Sequence, residues 1–269
     1  MTVVAPAPER LVDLERYPID ALDTSAGHAL VERCRAQLLV DGACELPGFL
    51  TDDATARLAS ESSTLAGQAH PSRVEGTPYL DFPDESFPEG HPRRALGANS
   101  LRAVAYDLFP SDSGIRALYE WPVLRAFVAA VLDVAELFPY GDPLGALNLA
   151  VMADGDELAW HFDQTDFVVS LALVPAERGG DFEFVPRVRT PDDEHYQEVG
   201  AVLAGDVSST HRLPMTPGTL LLFEGRYSLH RVTPIEGDTA RLVALLAYDT
   251  RPGTTSSDLL RLVRYGRER

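Results

Sequence analysis

At 269 residues, with 45% hydrophobic and 24% charged side chains, the chain is long enough for one large domain with a substantial core and too long for a stapled mini-domain. A formal net charge of −18 and a pI near 4.7 repel nucleic-acid phosphates and anionic lipid, so nucleic acid and membrane are set aside as partners and a small molecule is the expected ligand. Cys34 and Cys44 form no CxxC pair and no disulfide framework, residues 1–10 show no secretory leader, and the longest apolar run is Ala126–Leu132; the expected location is the cytoplasm.

Residues 1–26 are rich in proline and charge and read as a loose N-terminal arm, leaving 27–269 as a single domain. From Gly27 to Val40 the apolar positions Ala29, Leu30, Cys34, Leu38 and Leu39 recur at helical spacing, Ala43–Leu46 suits a short strand, and Thr51 and Asp52 offer caps for a helix to about Ala69. His70–Asn99 carries five prolines with little periodicity and reads as a long ordered or lid-like loop. Helices are expected at Ser113–Tyr119 and Val123–Val134, closing a helical part over 27–142.

After Pro143 the texture changes. Leu147–Met152, Phe167–Val174, Asp181–Val185, Thr219–Phe223, Ser228–Val232 and Leu242–Tyr248 are short β-type runs separated by Gly-Asp, Gly-Gly and Pro-Gly turns. They predict an α+β protein whose barrel core over 143–252 is of jelly-roll type, with the N-terminal helices packed on it and a C-terminal helix over 254–265.

His161-Phe162-Asp163 carries the chemistry. Residues i and i+2 of an extended segment share a face, so an imidazole and a carboxylate can reach one ion. His230, in the β-type run Tyr227–Val232, is placed to be the third ligand. Two histidines and one carboxylate leave coordination sites open, which suits iron(II) and dioxygen; zinc catalysis uses the same donors, so the ligand types alone leave the metal open. Eleven residues after His230, Arg241 opens a strand and offers a guanidinium to the distal carboxylate of a dicarboxylate cosubstrate, and Asn148 can donate to the same ligand. Trp160, Gln164 and Asp166 beside the motif, Glu183 on a neighbouring strand, and Arg102 are candidates to face substrate; Arg73, Arg93 and Arg94 are further candidates for a substrate carboxylate. If Arg241 faces inward, Val243, Leu245 and Ala247 do too, and that wall is apolar.

The HxD motif, the distal histidine in Gly225-Arg226-Tyr227-Ser228-Leu229-His230-Arg231-Val232-Thr233-Pro234, and Arg241 resemble those of the iron(II)/2-oxoglutarate dioxygenases. His91-Pro92-Arg93-Arg94, Tyr140–Gly145, Trp160–Gln164 and Gly179–Pro186 are similar, more narrowly, to the hydroxylase relatives of the radical halogenases of free amino acids, over most of residues 75–252. The resemblance implies a double-stranded β-helix (cupin-like) fold, iron held by His161, Asp163 and His230, 2-oxoglutarate anchored by Arg241, and dioxygen as oxidant. It implies hydroxylation of an unactivated C–H bond in a free amino acid or amino-acid-like metabolite. Desaturation or ring closure is the alternative outcome. Halogenation is disfavoured, because halogenases of this group carry a small residue, typically Gly, where Asp163 stands. A non-catalytic barrel that only binds its ligand is the remaining alternative.

Overall fold

Helix α1 (Ser25–Asp41) starts where the Thr24 hydroxyl accepts from the Gly27 N–H. It stops at Gly42, whose φ of 66° is the left-handed conformation that lets the chain turn at once into β1 (Ala43–Leu46). Thr51 caps α2 (Asp52–Leu65) in the same way, with Asp52 and Asp53 in the first turn complementing the helix dipole. Strands β2 (His70–Gly76) and β3 (Gly97–Val104) follow, then α3 (Gly114–Glu120) and α4 (Pro122–Val131). Next come β4 (Leu147–Met152), β5 (Leu158–His161), β6 (Val168–Val174), β7 (Phe182–Val185), α5 (Tyr196–Leu203), β8 (His211–Leu213), β9 (Leu220–Phe223), β10 (Leu229–Val232), β11 (Arg241–Leu246) and α6 (Asp258–Tyr265). The computed structural model describes residues 6–269.

The eleven strands form one curled antiparallel sheet with neighbours β1-β9-β6-β11-β4-β3-β5-β10-β7-β8, and β2 pairs with β3. Alternation assigns each residue to a face. Leu147, Leu149, Val151, Val169, Leu171, Leu173, Leu220, Leu222, Leu242, Ala244 and Leu246 point outward into the main core, which α1 to α4 complete with Leu30, Leu38, Leu58, Ile115, Leu118 and Phe127. The opposite parity lines the concave face. Register aligns Arg241 with Met152, Val243 with Ala150 and Ala172, and Leu245 with Asn148 and Ser170, so these eight side chains share the interior.

The α+β class, the barrel and the six β-type runs after Pro143 agree with the sequence reading, with ends shifted by a residue or two and the last run split at Ala247. Two expectations need correction. The arm over 1–26 is not loose where it is described: Leu11, Val12, Tyr17 and Ile19 are buried, Val12 bridges to Leu50, and the Tyr17 hydroxyl donates to the Pro47 carbonyl at 2.8 Å. Charged neighbours hide four apolar anchors in that stretch; residues 1–5 lie outside the described region. The loop expected over His70–Asn99 shrinks to 77–96, because both its ends are strands. β2 tolerates Pro71 because it is an edge strand that pairs on one side only. β1, β2 and β3 also join the main sheet, so the part expected to be helical, 27–142, shares its architecture with the barrel core rather than capping it.

Candidate metal centre

His161 ends β5 and pairs directly with His230 in the middle of β10, which brings the two rings to 4.2 Å between centroids. Asp163 follows two residues later and turns its carboxylate back between them. Its Oδ1 lies 3.9 Å from His161 Nε2 and its Oδ2 3.5 Å from His230 Nε2, and one donor atom from each residue falls within 4.8 Å of the others. Both histidines are buried, and each donates its Nδ1–H to the carbonyl two residues before it: Ala159 at 2.8 Å and Ser228 at 2.9 Å. These bonds fix the ring orientations and aim each Nε2 inward. Burial pulls the His161 pKa down to about 4, with the nearby His230 acting in the same direction, so the ring is neutral near pH 7. Burial alone would raise the Asp163 carboxyl, but His230 and His161 outweigh it and hold it below its ordinary value. Asp163 Oδ2 is nevertheless buried without a hydrogen-bond partner.

Two imidazole nitrogens and a carboxylate thus converge on one point. Three acceptors this close are mutually repulsive unless a cation sits among them, so the residues fit a divalent metal. Gly225 shapes the same spot. Its carbonyl accepts from the Asp163 N–H at 3.0 Å, and a Cβ on residue 225 would overlap the Asp163 carboxylate.

Arg241 is buried on the same concave face, and its guanidinium meets no acceptor but the Met152 sulfur at 4.0 Å. Burial lowers its pKa to about 10, which the more distant charge of Asp181 only partly opposes. Gly180, at φ 67°, stands where a Cβ would come within 3.0 Å of the Arg241 Cδ, so the turn before β7 leaves room for this side chain. Asn148 Oδ1 is also buried without a partner. A buried guanidinium without an acid beside it is a receptor for an anion.

The other candidates are not brought to the triad. Glu183 lies on the outer side of β7, in an ion pair with Arg231 at 2.7 Å, and the Arg231 guanidinium covers the Trp160 ring at 4.7 Å. Gln164 and Asp166 are exposed; the Gln164 carbonyl and the Asp166 carboxylate both bind Arg226. Arg73 and Arg102 are exposed, and Arg93 and Arg94 are engaged by Glu194 and the Phe87 carbonyl. Sequence reasoning passed over Gly225 and Ser170. Ser170 was legible as a lone polar residue within the apolar run Val168–Val174, whereas nothing local marks Gly225.

The solved structures similar to this chain share its architecture. The non-haem α-ketoglutarate-dependent epimerase SnoN of nogalamycin biosynthesis is 20% identical with a TM-score of 0.57, covering 82% of this chain and 81% of its own. AviO1 from Streptomyces viridochromogenes Tue57 is 19% identical with a TM-score of 0.54, over 84% and 97%. EctD from S. alaskensis, solved with 2-oxoglutarate and 5-hydroxyectoine, is 17% identical with a TM-score of 0.52, over 81% and 75%. Among curated proteins the sequence finds no match. The fold is the double-stranded β-helix that these structures share, and its two histidines and one carboxylate fit a divalent metal. The chain belongs to the Halogenase D family, whose model matches residues 26–259.

Proposed function

We propose that the protein hydroxylates an unactivated C–H bond of a free amino acid or a closely related small metabolite. The observation that carries this reading is the Asp163 carboxylate set between two inward-facing imidazole nitrogens. His161, Asp163 and His230 would hold iron(II), which with 2-oxoglutarate and dioxygen supplies the oxidising power for C–H cleavage. The protein does the rest. The Nδ1–H bonds to Ala159 and Ser228 keep both rings pointed inward, and Arg241 takes the distal carboxylate of 2-oxoglutarate, with Asn148 further along the same face. Val243, Leu245, Ala150 and Ala172 form a dry wall that excludes water from the cosubstrate.

The family's name points to halogen transfer, but that outcome needs a ligand position for halide. Here a carboxylate fills it, which favours hydroxylation. Incubating the iron(II)-loaded protein with 2-oxoglutarate, ascorbate and the free amino acids in turn, then following succinate and product mass, tests the reading. A product heavier by one oxygen supports it. A product that has lost two hydrogens or gained chlorine would replace it with desaturation or halogenation. Succinate release that no amino acid stimulates would remove the substrate class.

A further inference from the structure

The C-terminal helix α6 is folded inside out. Leu259, Leu260 and Leu262 are exposed, while Arg261 and Tyr265 face the protein. Tyr265 packs with Leu101, Ala103, Met152, Val232 and Ile235. Leu101 and Ala103 lie on the concave side of β3, since Ala103 is in register with Ala150; Met152 is aligned with Arg241; and Val232 is two residues from His230. Helix α6 therefore packs on the concave side of β2 and β3, and β3 lies between β4, which pairs with the Arg241 strand, and β5, which carries His161.

Three arginines recur along this segment at three-residue spacing. Arg261 pairs with the buried Asp142 at 2.9 Å, and Arg267 pairs with Asp107 at 2.6 Å. Arg264, half-buried between them, forms no hydrogen bond or ion pair with any described residue. It stands one helical turn after Arg261 and next to Tyr265, on the side of α6 that faces the protein. In a chain of net charge −18, a half-buried arginine left without an acid beside an active site is a receptor awaiting an anion. The cosubstrate does not need it, because its distal carboxylate goes to Arg241 and its other end to the metal. The other arginines considered for a substrate carboxylate are spent or misplaced: Arg93 and Arg94 are engaged, and Arg73 and Arg102 project from the opposite face of the β2–β3 ribbon to that which Tyr265 covers.

We propose that Arg264 binds the carboxylate of the substrate, which makes α6 the element that recognises substrate at the mouth of the barrel. The proposal rests on the amino-acid reading above, and the two are separable by experiment. With iron(II) and 2-oxoglutarate bound under nitrogen, the charge-transfer absorption band reports substrate binding without turnover. The ligands to titrate are the free amino acids, their primary amides, and the matching carboxylic acids that lack the amine. The parent protein should respond to an amino acid and not to its amide. Arg264→Gln should weaken that binding by roughly 30-fold or more, Arg264→Lys should restore part of it, and the 2-oxoglutarate titration of either variant should match the parent. Arg264→Gln binding the amino acid like the parent overturns the proposal, as does a parent response to amide equal to that for acid, or no response to any acid. An equal loss of 2-oxoglutarate affinity in Arg264→Gln also overturns it, since that marks a structural or cosubstrate role. If the parent binds the acids without an amine as well as it binds amino acids, and Arg264→Gln loses both, the carboxylate role stands and the amino-acid reading falls.

Discussion

Arg241 and Arg226 show how residues of one type, both near the metal histidine in sequence, receive opposite environments. Arg226 is held at the surface by Asp166 and the Gln164 carbonyl, while Arg241 is buried with only a methionine sulfur in reach. A buried guanidinium that lacks an acid in the protein gains most from a ligand that brings one. Arg241→Ala should therefore weaken 2-oxoglutarate binding by roughly 30-fold or more, the equivalent of about 2 kcal/mol, and Arg241→Lys should recover part because the charge survives without the bidentate fork. Arg226→Ala should titrate like the parent. Following the charge-transfer band of the iron(II) protein under nitrogen checks all three, and a loss confined to Arg226→Ala would move the anchor there. At the metal, His161→Ala, Asp163→Ala and His230→Ala each remove one of three ligands, so metal analysis after dialysis should show a large drop in bound iron in every case.

Among elements, α6 depends on a single acid. The Asp142 carboxylate is buried, accepts from the N–H groups of Leu144, Gly145 and Ser256 at 2.8–2.9 Å, and pairs with Arg261. Burial alone would raise its pKa, but Arg261 and the three N–H donors outweigh this and bring it to about 2. The folded pKa is depressed, so the stability this group contributes is present above its ordinary value of 3.8 and is lost as pH falls through about 2. Amides of α6 should keep their hydrogen-exchange protection through mild acid and lose it only near that lower value. Asp142→Ala should release the helix at neutral pH, with a stability loss on the order of 2 kcal/mol and proteolysis after residue 253. The helix itself was legible from sequence, but its orientation was not. The Leu and Arg positions alone do not say which face turns inward, and only the partners Asp142 and Asp107, more than a hundred residues away, hold the arginines against the protein. β3 escaped notice for a related reason: Gly97-Ala98-Asn99-Ser100 lacks apolar alternation, and pairing with β2 and β4 supplies what propensity does not.

For the whole molecule, the triad was readable because its decisive relation is local: His161 and Asp163 share a face by strand geometry, and His230 sits in a short β-type run. The surroundings were less readable because they depend on how strands pair. The pairing of His230 with Phe184 turns both inward and puts Glu183 outside with Arg231, and alternation beside His161 puts Trp160 there as well. A metal that bridges β5 and β10 ties distant parts of the sheet together and binds only the folded state. Iron(II), or manganese(II) as a redox-silent stand-in, should raise the thermal unfolding midpoint of the parent, with a gain of about 2.7 kcal/mol at a hundredfold excess over Kd. His230→Ala should show no such rise. Among the described residues, no helix is long and apolar enough to cross a membrane.

Gly225 adds a historical constraint. A Cβ at 225 would run into the Asp163 side chain, which supplies the three nearest atoms, so a side chain there collides while that carboxylate is present and loses those clashes once residue 163 is glycine. The same substitution is then harmful in one background and tolerated in the other. Gly225→Ala should cost far more stability in the parent than in Asp163→Gly, a difference that thermal melts of the two single variants and the double variant would reveal. A lineage that exchanged the carboxylate for a small residue would be free to drift at 225, and each larger residue accepted there would bar the carboxylate from returning. Passage from the three-ligand site to a halide-accepting one would thus behave as a ratchet.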